Sequence, residues 1–568
     1  MKNRQPTRRS RRRARTALGL LAAFVLAAAP RPDARAAEGA AVRLNTVGYL
    51  PQHEKRATLP APCGEFRVVR VSDGAVVLRG RSAGPSREAD TGEDLCVADF
   101  SALRGSGLYR LEAGAARSST FRVGRDVYVE AYKAAVRAMH LWRCGAAVRL
   151  EHDGVTYAHA ACHLEDARLD FVGSPGARRD AAGGWHDAGD YNKYVVNAGV
   201  TVGLLLRTWE EFGARVRRVE LGLPESGTKL PAYLAEVKWE LDWLLKMQAA
   251  DGSVYHKVST RDFGPAVVPE DEKTERFVTP WGSAATADFV AVTASAARAF
   301  APFDAAYARR LLDAARRSYA FLRAHPESRR ADLEGFTTGG YQTDDADDRL
   351  WAAAELWQTT GGRDALDDFE ARARRFGGGF SRDWGWGDVK NLGMLTYLFS
   401  ARSGRDARLV RQVRAALIET ADAVVLVRGR SAHARPLTRY YWGANGGVAN
   451  TTVLLRAAHR IEPKPAYVET ALDALSHLLG RNFYGHSFVT GIGFAPPRRP
   501  HDRRSMAEGS AGAWPGYLVG GGWPRATDWV DDSDNYRVNE IAINWNAPLV
   551  YALAAALPEA RRGVRGRR

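Results

Sequence analysis

After Gly124 the spacing of apolar residues changes from two to about 3.6, and it keeps that period almost to the end of the chain. Twelve helical segments are predicted, near 128–149, 193–212, 230–248, 284–301, 304–325, 347–360, 363–375, 388–402, 406–426, 446–461, 465–479 and 540–556, with very little strand between them. NAGVTVGLLLRTW and APLVYALAAAL are apolar nearly all round, whereas RRLLDAARRSYAFLRAH is amphipathic. Alternating buried and half-buried helices in this number predict hairpins in two concentric rings, an (α/α)6 barrel, and a mainly α protein. A helical solenoid is the structural alternative, but no fixed sequence period accompanies it.

Residues 41–124 read differently. AVRLNTVGYL, FRVVRVSDGAVVLRG, DLCVADFS, GLYRLEAG and SSTFRVG alternate apolar with polar residues between Gly, Pro and Ser-Asp-Gly turns, which suits a small β-sandwich. A Cys63–Cys96 bridge would cross it, although spacing alone does not pair the two. Three regions follow: a signal peptide at 1–36, the sandwich at 41–124 and the barrel at 125–560.

The net charge of +16 invites a nucleic-acid reading until it is located. Residues 1–40 hold ten Lys/Arg against two acids, and the tail from Glu559 holds five Arg against one Glu, so the body carries only +4. No basic stripe interleaved with aromatics appears there, and no nucleic-acid partner is expected. The N-terminal excess precedes an apolar run, ALGLLAAFVLAAA, and an A-x-A match at Ala34 to Ala36. That is a secretory layout, too short for a membrane span, and the general export route fits it better than a twin-arginine one. A secreted protein, extracellular or periplasmic, is expected, soluble and monomeric once the signal is removed.

Long loops rich in Gly and aromatics interrupt the helices at 170–192, 250–283, 430–446 and 481–539; their Trp, Tyr, His and paired acids are unlike disorder. GGWHDAGDYNKYV (183–195) places Asp187 and Asp190 three residues apart before an inner helix. The bland reading is helix capping; the functional one is two carboxylates that hold and deprotonate a water. DWVDDSDNYRVNEIAINWNAPLVYALA (528–554) puts Glu540 at the start of the last helix, followed by Trp545. Glycoside hydrolysis needs two carboxyl groups on opposite sides of a bond, one protonated and one ionised. A helix start would oppose the protonated form of Glu540, so Asp531, Asp532, Asp534 and desolvation would have to outweigh the dipole. In GHSFVTGIGFAPPRRPHDRRS (485–505) an extended backbone would point His501 and Arg503 the same way; they form either a solvated basic loop or donors to sugar hydroxyls.

These segments resemble glycoside hydrolase family 9, particularly members with an N-terminal immunoglobulin-like domain. LNTVGYLP (44–51), YHKVST (255–260), ATADFVAV (285–292) and YYWGAN (440–445) extend the likeness over nearly all of the mature chain. Ala495 departs from it, where a basic or amide residue is expected before PHDR. The resemblance implies an immunoglobulin-like sandwich before the barrel and an inverting β-1,4-glycosidase acting by single displacement on a β-glucan. It makes Asp190 the general base, Asp187 its partner in holding the water and Glu540 the general acid. His501 and Arg503 would bind hydroxyls, Trp442 and Trp545 would offer stacking faces, and the carboxyl separation should lie at roughly 6.5–9.5 Å.

Cys144, Cys162, His163 and His186 admit two readings, a disulfide beside incidental histidines or a complete tetrahedral zinc set. The resemblance implies structural zinc at all four. YQTDDADDRLW (341–351) concentrates Asp344, Asp345, Asp347 and Asp348 before a helix, which suits capping or calcium; Asp344, Asp347 and Asp348, with Asp388 from a neighbouring helix start, are the calcium candidates. No organic cofactor is expected. An endo-acting cellulase is the leading reading; an exo-acting β-glucosidase or β-glucosaminidase on the same fold and a non-catalytic carbohydrate-binding protein are the alternatives.

Overall fold

The computed structural model describes residues 41–172 and 174–559; the segment read as a signal peptide, 1–36, lies outside the described residues. Nine strands come first: β1 (Gly48–Tyr49), β2 (Arg56–Pro60), β3 (Glu65–Arg70), β4 (Val76–Arg81), β5 (Ala83–Arg87), β6 (Asp94–Asp99), β7 (Gly107–Ala113), β8 (Ala116–Arg117) and β9 (Phe121–Val123). One sheet runs β1-β9-β7-β3-β4 with β8 on β7, and the other β2-β6-β5. Alternation drives them together: Phe66, Val68, Leu111, Phe121 and Val123 are buried between the sheets while their neighbours Arg67 and Arg122 face water. Tyr49 packs edge-on against Phe100 and Phe121, and a disulfide joins Cys63 to Cys96.

The helices are α1 (Val129–Leu141), α2 (Val195–Val216), α3 (Ala232–Met247), α4 (Ser283–Phe300), α5 (Ala305–Ala324), α6 (Ala346–Thr360), α7 (Arg363–Arg375), α8 (Lys390–Phe399), α9 (Ala407–Gly429), α10 (Ala444–Ile461), α11 (Pro465–Leu478), two short turns α12 (Arg503–Met506) and α13 (Tyr536–Asn539), and α14 (Ile543–Ala555). Around the inner ring α2 packs on α4, α4 on α6 and α6 on α8; α10 packs on α14, which returns to α2. Each inner helix has an outer neighbour: α3, α5, α7, α9, α11 and α1 lie against α2, α4, α6, α8, α10 and α14. This is the (α/α)6 barrel. The sequence explains which helix goes where. Every residue of α4 except Arg298 is buried, whereas α5 buries only a stripe through Tyr307, Leu311, Ala314, Ser318 and Leu322. Each fully buried Leu, Val or Phe contributes about 1.5–3 kcal/mol, so a ring apolar all round has to lie inside.

One predicted boundary moves clearly. The first helix ends at Leu141, and residues up to 149 do not continue it; β10 (Val148–His152) and β11 (Val155–His159) form a hairpin instead. Between helices there is also more strand than the sequence suggests. β12 (Leu169–Phe171), β13 (Ser174–Arg179), β14 (Lys193–Tyr194), β15 (Lys257–Thr260) and β16 (Arg276–Val278) build a sheet in the order β13-β12-β16-β15-β14 from two of the long loops. That sheet braces the segment carrying Asp187 and Asp190. Among the described residues no helix is long and apolar enough to cross a membrane.

Candidate active site

Neither Asp187 nor Asp190 caps a helix. The residue at the N-cap of α2 is Tyr194, and both acids sit in the buried turn before β14. Asn197, in the first turn of α2, donates to Asp187 Oδ1 at 2.7 Å, and the Tyr341 hydroxyl donates to Oδ2 at 2.7 Å. Asp190 Oδ2 accepts from Asn192 Nδ2 at 2.6 Å and from the Tyr194 hydroxyl at 3.3 Å. Burial, reinforced by the charge of Asp190, pushes Asp187 up to about 8 against those donors.

Glu540 does not open the last helix. It follows the short turn α13 in extended backbone, and α14 begins three residues later with Ala542 as its N-cap. Glu540 instead forms a parallel β-bridge with His501, and Ile541 bridges Val519. Tertiary pairing overrides the local helical pattern, and the anticipated conflict with the α14 dipole disappears. Burial first, then the charges of Asp190 and Asp187, hold the Glu540 carboxyl well above the usual range, against the Trp442 hydrogen bond and Arg503. Asp531 and Asp532 are engaged elsewhere, with the backbone of Arg498 and Arg499 and with the Arg499 side chain.

The three acids share the wall of one cavity of about 650 Å³, together with Trp442 and Trp545. Tyr341, Trp384, Trp386, Tyr441, Trp523 and Asp383 also line it. Trp545 lies flat against the start of α10: a Cβ on Gly443, whose φ is +87°, would stand 2.4 Å from its indole, and one on Gly446 2.7 Å. His501 and Arg503 lie beside the acids without lining the cavity. His501 Nδ1 is 2.7 Å from Ser533 O, and Arg503 Nε donates to Gly264 O at 3.1 Å. The sequence reading missed Tyr341 and Trp386, which pack edge to face at 5.0 Å. Their signals were the Gly339–Gly340 pair ahead of one and the alternating Trp-Gly run around the other.

Cys144, Cys162, His163 and His186 converge, with one ligand atom from each lying within 4.8 Å of the others. The two cysteines are free thiols, not a disulfide. His186 Nε2 stands 3.7 Å from Cys162 Sγ and 3.4 Å from His163 Nδ1, and burial drives its ring down to about 3, the neutral form a metal requires. His163 turns its other nitrogen to Glu272 Oε2 at 3.2 Å, the outer carboxylate that orients a ligating imidazole. Two sulfurs and two imidazole nitrogens, buried and mutually close, fit a tetrahedral metal ion.

The calcium candidates are partly brought together: Asp388 acts on Asp347, and Asp347 on Asp348. Asp344 is exposed, Asp347 accepts from Val389 N at 2.6 Å, and Asp388 pairs with Lys390 at 2.5 Å. Asp348 is fully buried and faces Asp288 of α4 as well as Asp347. Successive helical residues point about 100° apart, so acids adjacent in sequence fan out.

Three carboxyl groups lining one cavity of an (α/α)6 barrel put the chain among the glycoside hydrolases. The sequence model of glycosyl hydrolase family 9 matches residues 128–553, and that of the cellulase N-terminal ig-like domain matches 37–118. The chain belongs to glycosyl hydrolase family 9. It is 49% identical to Endoglucanase D of Acetivibrio thermocellus over 518 residues, covering 90% of this chain and 83% of that protein. It is 33% identical to a cellodextrinase of Butyrivibrio fibrisolvens, over 91% of this chain and 99% of that one. A metagenome-derived glycoside hydrolase family 9 endoglucanase superposes with a TM-score of 0.85 at 36% identity, covering 91% and 99% of the two chains.

Proposed function

We propose that the protein is an exported endo-acting β-1,4-glucanase that hydrolyses cellulose or a related β-glucan with inversion. The observation that carries this is the meeting of Glu540 with Asp190 and Asp187 in the wall of one cavity. Burial and the neighbouring acids favour the protonated form of Glu540, while Asp190 accepts hydrogen bonds from the Asn192 amide and the Tyr194 hydroxyl. In the step inferred here, Asp190 takes a proton from a water that Asp187 helps to orient. The water oxygen bonds to the anomeric carbon from the face opposite the leaving oxygen. Glu540 gives its proton to that glycosidic oxygen as the bond breaks, so one displacement inverts the centre. The Trp442 and Trp545 faces supply stacking surface for the sugar rings. Resemblance to Endoglucanase D favours endo over exo action.

Glu540→Gln and Asp190→Asn should each nearly abolish turnover while leaving the melting transition in place. Near-normal hydrolysis by either variant would remove the assignment. Proton NMR of the first-formed product should give the α-anomer, and viscosity should fall ahead of reducing-sugar release. The four-ligand cluster is inferred to hold zinc as a structural ion, which would fix His186 and, next to it, Asp187. Export rests on the N-terminal layout of residues 1–36.

A further inference from the structure

YHKVST places Lys257 at the start of β15, and its surroundings are unusual for a lysine. The residue is fully buried, and among the described residues its ammonium has no salt-bridge partner. Its hydrogen bonds end on neutral acceptors, Thr338 Oγ1 at 2.9 Å and Gly339 O at 3.1 Å. Lys193 on the adjacent strand shows the ordinary arrangement, a buried ammonium 2.9 Å from Asp166. An unpaired buried charge costs several kcal/mol, so a compensating charge or dipole has to be near.

The register supplies it. Lys257 lies directly opposite Tyr194 in the β14–β15 pair, its Nζ 5.6 Å from the centre of the phenol ring, and the Tyr194 hydroxyl reaches Asp190 Oδ2. Asp190 is the carboxylate whose charge acts on Lys257, pulling it up against a burial that lowers it to about 8. The same ammonium ties down Thr338 and Gly339, two residues before Tyr341, the donor to Asp187. Gly339 leaves room for this contact: a Cβ there would lie 3.1 Å from the Tyr194 ring.

We propose that Lys257, acting through Tyr194, is a positioning residue for Asp190: it stabilises the Asp190 carboxylate and anchors the turn that carries Tyr341. Asp187, Glu540, His501 and Tyr194 also face Asp190. Asp187 and Glu540 oppose a second negative charge there, burial keeps the His501 ring neutral, and Arg503, whose backbone N–H donates to Gly189 O and whose charge acts on Glu540, is the other cation beside the acids. The inference rests on the reading of Asp190 as general base.

The test is the pH dependence of kcat/KM on a soluble cello-oligosaccharide for Lys257→Gln and Lys257→Met. Gln keeps a donor toward Gly339 O without the charge, and Met removes the charge without leaving a buried polar group, so Met is the variant expected to fold. In both, the acid limb should move up by about one pH unit, with the alkaline limb in place. A fall in rate with an unmoved acid limb would overturn the proposal and leave Lys257 a packing residue. If neither variant melts cooperatively, Tyr194→Phe breaks the same line at the phenol, and an unmoved acid limb there overturns it equally. Asp190→Asn separates the two failures: an active Asp190→Asn removes the base reading, whereas an inactive one with unshifted Lys257 variants removes this inference alone.

Discussion

His501 and Glu540 run alongside each other as parallel bridge partners, and the hydrogen bonds around them tie three distant segments into one floor. His501 N–H donates to Asn539 O at 2.9 Å, Arg503 N–H to Gly189 O at 3.0 Å, and Ile543 N–H to Asp187 O at 2.9 Å. Backbone contacts, more than side chains, therefore set the spacing of the base and acid loops. Gly189 is the closest point, because a Cβ there would fall 2.2 Å from His501 O. Gly189→Ala should force the loops apart, cost about 1–3 kcal/mol of stability and lower kcat/KM at least tenfold. Thermal melting and steady-state kinetics on the same preparation check both.

Glu540 has to hold its proton to serve as acid. Its carboxyl is held above the ordinary carboxylate value, so activity should persist through neutral pH and fall as pH rises through the Glu540 pKa. Trp442 pulls in the opposite direction, through a hydrogen bond that favours the charged form. Trp442→Phe should therefore move the alkaline limb of kcat to higher pH while raising KM through the lost indole face. A limb that stays put or falls would show that another group controls it.

A second pH effect belongs to the seam between sandwich and barrel. His433 and His477 are buried there beside Arg43, Arg435 and Arg481. Burial, then these cations, lowers both rings, His477 to about 3. The unfolded chain takes up protons below about pH 6.5 that the native state refuses. Stability is thus fully present above that value and falls as pH drops, by about 1.4 kcal/mol per unit for each ring, until the native rings titrate. Between pH 7 and 5 the melting temperature should decline, and His433→Gln with His477→Gln should flatten that slope.

The twelve long helices and the sandwich were legible because burial writes its period into the sequence, as in the apolar α4 and the striped α5. The acid loops were legible too, but not what holds them. Tyr341 and Asp187 are 154 residues apart in the chain, and nothing local in either segment announces their contact. Asn197 reads as an ordinary helix residue until its amide is seen on Asp187. Glu540 looked like a helix start because it directly precedes the apolar run of the last helix, and only the bridges made to it and Ile541 by residues 501 and 519 decide otherwise. Strands β12, β14 and β16 are only two or three residues long, too short to show alternation, so their pairing is a tertiary effect.

The metal cluster connects directly to the base loop, which gives the last expectation. Cys144 N–H donates to Gly184 O at 2.7 Å and His186 N–H to Trp142 O at 2.8 Å, so the ligands are held by the same turn that delivers Asp187 one residue later. Without an ion, two sulfurs and two imidazoles remain buried and crowded, with His186 Nδ1 lacking any hydrogen-bond partner among the described residues. Stripping the protein with a strong chelator should lower its melting temperature, and kcat should fall with KM less affected, because the orientation of Asp187 is lost before the stacking surface. Elemental analysis should find one zinc per chain, and adding zinc back should restore both properties. Cys144→Ser should reproduce the chelated state in a form that zinc does not rescue. A protein that keeps its melting temperature and kcat after verified removal of all metal would show that the cluster is packing alone.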